Sequence, residues 1–241
     1  MAHAVVTNFE FLDNLDQLLF EIETEVEHQA YWKTFIAPTT PSSIVLKIMA
    51  EVMRDIGSYQ LEVNKAVFSA VGRLGTVIDE QGLIRAMIAV QVEEVGHGAI
   101  AAADYAILTN NQIACRDSRP TPTAQALIGT VRNLGEREHP LCHLGFMYFF
   151  EKFTTLMTEK VAPTLLRAGY PDDRLEFMRL HAEEDVRHAD MLANVIAECL
   201  NRYDDAASHI QYGFDTFRVV YPHALWNAAF LRATGERVCH D

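Results

Sequence analysis

Three side chains that commonly bind metal ions, His181, Asp185 and His188, recur at helical spacing within residues 175–199, a segment without glycine or proline. At about 100° per residue, Asp185 lies roughly 40° and His188 roughly 20° from His181 around the helix axis. The other residues on that side of the predicted helix are apolar. The pattern therefore predicts a polar trio buried within an apolar stripe.

Asp185 needs a positive partner if it is buried, because an unpaired carboxylate is costly to remove from water. No Lys or Arg stands three or four residues from it. Two imidazoles and a carboxylate suit a divalent transition metal. His181 and His188 are about 10 Å apart along a helix axis, which favours two ions flanking Asp185 over one. The alternative is two core histidines beside a hydrogen-bonded aspartate.

Two other predicted helices carry polar residues of the same kind. Glu94 and His97 are three residues apart in the apolar stripe of residues 79–108, and neither has a basic residue one turn away. Gly96 and Gly98 flank His97 and weaken the helix, which indicates a local distortion or a close backbone approach. Glu151 stands in the long apolar run 141–166, also without a local cation.

Three carboxylates and three imidazoles from separate helices would make a complete ligand set for two iron or two manganese ions in a bundle core. A ferritin-like site has two Glu-x-x-His motifs. Only Glu94-x-x-His97 fits that template, because the other half reads His-x3-Asp-x2-His.

The whole chain is consistent with one globular domain, residues 1–241, because it is 49% hydrophobic and shows no linker. Its net charge of −13 argues against nucleic acid and anionic membrane surfaces as partners. Four dispersed cysteines predict reduced thiols, and we expect a soluble cytoplasmic protein, since no leader or membrane-length apolar run is present.

Helical periodicity predicts an all-α protein with no strands. Gly57 is expected to break or bend one apolar stretch, and Pro222 another. The predicted helices cover residues 8–33, 44–56, 59–74, 79–108, 124–134, 141–166, 175–199 and 204–231.

At its polar motifs the chain resembles the heme-oxygenase-like diiron oxidases and oxygenases, over roughly residues 40–200. The shared features are Arg85 followed by VEEVGHG, the stretch GFMYFFE that ends in Glu151, and LHAEEDVRH. The resemblance implies a heme-oxygenase-like bundle of seven to eight helices in which two Fe(II) ions activate O2. It also implies a small-molecule substrate, an amino acid or a fatty acid, often in natural-product biosynthesis. We favour an amino-acid-derived substrate.

Many members of that family take another carboxylate from an earlier helix. Here the corresponding region holds Gln60 in the apolar stripe and Glu62 beside it, with Lys65 one turn away. Asp104, seven residues after His97, is a further candidate ligand. The family also suggests a homodimer and an external electron donor.

Two other functions stay open at this point. In one, the chain resembles the metal-free thiaminase-type hydrolases of the same wider fold, with Cys142 as nucleophile beside His139 and His143. In the other, the bundle stores metal or is structural and has no catalytic activity.

Overall fold

The computed structural model describes residues 8–76, 78, 81–109, 119–171 and 176–235. These residues form helices and their connections, with no β-strand among them. Of the described helices, none is both long and apolar enough to cross a membrane. The first residues of the helices predicted for 79–108 and 175–199, and two of the four cysteines, Cys115 and Cys239, fall outside the described residues. The helices are α1 (Asn8–His28), α2 (Ala30–Ile36), α3 (Ser42–Leu74), α4 (Gln81–Glu94), α5 (His97–Thr109), α6 (Pro122–Glu136), α7 (Cys142–Arg167), α8 (Glu176–Arg202), α9 (Ala206–Arg218) and α10 (His223–Thr234).

Three of the predicted helices are each interrupted once. The helix predicted for residues 8–33 is divided into α1 and α2 at Gln29, and that predicted for residues 79–108 is divided into α4 and α5. The helix predicted for residues 204–231 is divided into α9 and α10 next to Pro222, where a break or bend was expected. When each interrupted helix is counted once, the described residues form seven helices. The prediction of an all-α bundle of seven to eight helices is therefore confirmed.

Helix α3 is the longest described element of the bundle, and the break predicted at Gly57 is absent from it. The helix continues for 33 residues, with Gly57 itself buried. It packs against α5, α6 and α10 along its length. A glycine costs a helix only about 0.5–1 kcal/mol, and packing of a long apolar face supplies more than that.

Helices α7 and α9 cross closely because each has a glycine at the contact. A Cβ atom on Gly145 would lie 1.9 Å from the carbonyl oxygen of Ile210, and one on Gly213 would lie 1.7 Å from that of Cys142. The close approach of α9 also packs Phe217 against Phe146, with ring centroids 4.7 Å apart. This crossing fixes the position of α7, the helix that carries Glu151.

Candidate metal centre

The structure gathers six residues predicted as metal ligands into one buried cluster. They come from α4, α5, α7 and α8. Their exposed fractions range from 0% for His188 to 4% for Glu94. The six are Glu94, His97, Glu151, His181, Asp185 and His188.

The cluster contains two groups of donor atoms that have Glu94 in common. Within each group, every residue offers one ligand atom within 4.8 Å of the others. The first group is Glu94, His97 and His181, and the second is Glu94, Glu151, Asp185 and His188. The cluster therefore offers two adjacent sets of metal donors that share one carboxylate.

The interruption between α4 and α5 brings Glu94 and His97 into direct contact. Glu94 ends α4 and His97 begins α5, and Oε2 of Glu94 is 2.7 Å from Nδ1 of His97. Gly98 allows α5 to approach α3 closely, since a Cβ there would lie 3.0 Å from Cβ of Gln60. The distortion expected from Gly96 and Gly98 is thus present, and it shapes the first group of ligands.

Hydrogen bonds to the protein orient two of the three imidazoles. Nδ1–H of His181 donates to the carbonyl oxygen of Phe177 at 2.7 Å, which leaves Nε2 as the nitrogen available to a metal. Nε2 of His188 is 3.0 Å from Oε2 of Glu93, so its Nδ1 is available instead. Metal-binding histidines are commonly held through their second nitrogen in this way.

Two acidic residues that were not among the predicted ligands, Glu93 and Glu184, contact the cluster from outside. The outward Nε2 of His97 is 3.6 Å from Oε2 of Glu184, and Glu93 also binds Arg187. Each of the two carboxylates therefore faces a histidine of the cluster. The sequence gives no signal for these contacts, because each joins two different helices.

Several polar atoms of the cluster have no hydrogen-bond partner although they are buried. They include both carboxylate oxygens of Asp185, Oε1 of Glu94 and Nδ1 of His188. Buried polar atoms in native proteins are nearly always paired, because an unpaired one costs about 1–3 kcal/mol. These neighbouring atoms all lack hydrogen-bond partners, and all are of types that bind metal ions. They therefore fit a site for cations.

The titration behaviour of the cluster shows the same need for positive charge. Burial raises the pKa of Glu151 to about 7 and that of Asp185 well above its ordinary value. Burial disfavours charge on His188 and Glu94 as well, but the attraction between the oppositely charged side chains that face each other in the cluster outweighs it. This attraction raises the pKa of His188 to about 11 and lowers that of Glu94 to about 2. Without metal, the cluster therefore holds protons where cations would bind.

The additional ligand candidates lie outside both groups of donor atoms. Glu62 is directed to the surface, where it pairs with Lys65 at 2.6 Å and with Arg132 at 3.7 Å, so the structure does not bring this predicted ligand to the centre. Gln60 is buried and donates to Asn64. Asp104 is buried, and burial raises its pKa to about 7.

Cys142 does not have the environment of a nucleophile. It is buried at the start of α7, and burial raises the pKa of its thiol to about 11. A nucleophilic cysteine needs a lowered pKa. The neighbouring His139 stacks on His209, with ring centroids 3.8 Å apart, and His143 binds the carbonyl oxygen of Pro140 through Nδ1.

The fold and the buried cluster define a helical-bundle protein with a carboxylate and histidine centre suited to redox metals. Residues 51–218 match the model of a family described as iron-containing redox enzymes, and the chain belongs to this family.

Comparison with solved structures confirms the heme-oxygenase-like fold. The chain is similar to a domain of unknown function with a heme oxygenase-like fold from Shewanella denitrificans OS217, with a TM-score of 0.79 and 16% sequence identity. The similarity covers 92% of this chain and 93% of that chain. A search of curated proteins found no significant match.

Proposed function

We propose that this protein is an O2-dependent diiron oxidase or oxygenase. The observation that carries the proposal is that Glu94 belongs to two buried groups of donor atoms. Glu94, His97 and His181 would hold one iron, and Glu94, Glu151, Asp185 and His188 the other. Iron bound there as Fe(II) would supply electrons for the activation of dioxygen, and an external donor would have to replace those electrons. The same donor set also suits manganese.

The residues of the chain neutralise, orient and isolate the centre. Three carboxylates offset most of the positive charge of two divalent ions. Phe177 and Glu93 orient His181 and His188 through their outer ring nitrogens. The burial of all six ligands excludes bulk water, which protects a reactive centre from side reactions.

The metal content of the protein tests the first part of the proposal. Anaerobic titration of the metal-free protein with Fe(II) is expected to end at about two irons per chain. Glu94→Ala removes the ligand common to both groups and should reduce uptake to fewer than one. Glu62→Ala is the matched control, because Glu62 pairs with Lys65 at the surface, and it should leave uptake unchanged. An end point of one iron in the unmodified protein would contradict a dinuclear centre.

Oxygen consumption tests the second part. The iron-loaded protein is expected to consume O2 when a reductant is supplied, and Glu94→Ala should abolish this consumption. Two irons bound without any O2 uptake would contradict the oxygenase proposal and would point to metal storage.

We further propose that the organic substrate is a small amino-acid-derived molecule that undergoes oxidative C–C cleavage, decarboxylation, N-oxygenation or nitrile formation in natural-product biosynthesis. The test is a mass-spectrometric screen of the iron-loaded protein with O2 against amino acids and fatty acids. New products from amino acids are expected, and products from fatty acids alone would overturn this assignment.

A further inference from the structure

A small cavity lies between α3, α7, α8 and α10, beside the metal centre. Its volume is about 40 Å³. All but one of the residues that line it are buried, the exception being the partly buried Thr154. Its lining residues include Met49, Val52, Met157, Val161 and Met178.

The cavity and the metal centre share a wall. The ring of Phe177, which lines the cavity, lies against the ring of His181 with centroids 3.9 Å apart. Thr154 also lines the cavity and follows Glu151 by three residues on α7. A molecule held in the cavity is thus one side chain away from the ligands of the centre.

The walls of the cavity suit an uncharged, apolar occupant. Of the 13 residues that line it, nine are apolar, the other four carry hydroxyl groups, and none is charged. An apolar molecule in the cavity needs no polar partner. Three of the apolar residues are methionines, whose flexible side chains adjust to a small occupant.

The volume of the cavity limits the size of its occupant. Pockets for drug-sized ligands have volumes of about 300–1,000 Å³, and a dry cavity of about 150 Å³ takes one benzene molecule. On that scale a cavity of about 40 Å³ holds roughly two non-hydrogen atoms. This matches a diatomic gas and is too small for an amino acid or a fatty acid.

We propose that this cavity holds dioxygen beside the metal centre before it reacts. The inference rests on the proposed function, because that function makes dioxygen a substrate. It adds a separate apolar site for the gas, built from residues that do not bind metal. Dioxygen is apolar, so its transfer from water into an apolar cavity is favourable and it would collect there.

The paramagnetism of dioxygen allows a direct test in the metal-free protein. With methionine methyl groups labelled by ¹³C, dissolved O2 under pressure should accelerate the relaxation of the methyl groups nearest to it. We expect an acceleration severalfold larger for Met49, Met157 and Met178 than for Met53 and Met147, which are buried but do not line the cavity. Equal acceleration at all five methyl groups would overturn the proposal.

Filling the cavity provides the second test. Val161→Leu adds a methylene group to the wall and should remove most of the acceleration, and Val52→Leu should do the same from α3. Val67→Leu is the matched control, since Val67 is a buried valine of α3 outside the cavity. In the iron-loaded protein we expect Val161→Leu to raise the KM for O2 severalfold while kcat is retained.

The outcomes separate the cavity from the proposed function. Selective relaxation of the three methyl groups in a protein that consumes no O2 when loaded with iron would support the cavity and contradict the oxygenase. A different outcome is that Val161→Leu and Val52→Leu both remove the relaxation effect and yet leave the KM for O2 unchanged. That result would overturn the role of the cavity in supplying O2 to the centre.

Discussion

Replacing Asp185 by asparagine should change stability and metal binding in opposite directions. Asp185 is 1% exposed, and both of its carboxylate oxygens lack a hydrogen-bond partner. Burial, together with the nearby Glu151 and Glu94 carboxylates, raises its pKa well above the ordinary value. In the metal-free protein this carboxyl group must therefore either keep a proton at neutral pH or remain charged without a partner, and both states cost free energy.

Asparagine has the same shape and no charge, so Asp185→Asn should stabilise the metal-free protein. We expect a gain of about 2 kcal/mol at pH 8, because the amide neither carries a buried charge nor has to keep a proton. For a chain of this size that corresponds to a rise in Tm of about 4–8 °C. The assay is thermal unfolding of the metal-free protein in the presence of a chelator.

The same substitution should weaken metal binding, because it removes one ligand of the second group. Removing an outer-shell partner of a metal ligand weakens metal binding about 10–100-fold. Because Asp185 is itself a proposed ligand, its replacement should weaken binding of the second ion by at least about 100-fold. Asp190→Asn is the control, because Asp190 is exposed on the same helix, and its effect on stability should be within about 0.5 kcal/mol. If Asp185→Asn lowers the Tm of the metal-free protein, Asp185 has a stabilising protein partner and the reasoning fails.

Three further predictions concern the surroundings of the centre. Glu93→Ala frees the outer nitrogen of His188 and should reduce metal affinity about 10–100-fold by calorimetry, whereas an unchanged affinity would rule out an orienting role. The folded protein keeps a proton on His188, whose pKa is raised to about 11, while the unfolded chain releases it above about pH 6.5. The Tm of the metal-free protein should therefore fall from about pH 7 to about pH 9, and saturation with Mn(II) should oppose that fall. Gly145→Ala would place a Cβ 1.9 Å from the carbonyl oxygen of Ile210 and should cost at least about 3 kcal/mol in denaturant unfolding. Gly129→Ala on α6, with nothing within 4 Å, should instead stabilise by about 0.5–1 kcal/mol.

The sequence predicts the helices and the inward direction of the principal polar residues, because both follow from the 3.6-residue period of a single helix. Asp185 illustrates the point, since its apolar stripe and the absence of a basic residue one turn away are local properties. The continuity of α3 through Gly57 could not be predicted in this way. It depends on packing against α5, α6 and α10, which no property of α3 alone reveals.

Contacts between helices account for what the sequence did not predict at the centre. Glu93 and Glu184 lie outside the apolar stripes of their own helices, yet each reaches a histidine on another helix. Periodicity gives the direction of a side chain relative to its own helix axis, but not the rotation of the neighbouring helix. For the same reason the pattern could not show that Glu62 would meet Arg132 on α6.

Gln60 lies in the region from which the family resemblance predicts a carboxylate ligand, and its amide instead supports the interruption between α4 and α5. The amide nitrogen of Gln60 donates to Oδ1 of Asn64 at 3.3 Å, and that of Gln91 donates to the same oxygen at 3.0 Å. Asn64 in turn donates to the backbone carbonyl of Glu94 at 3.2 Å, at the point where α4 ends. These buried amides stabilise the interruption that sets Glu94 against His97. A carboxylate at position 60 could not donate to Asn64, so in this chain the position supports the ligand common to both groups.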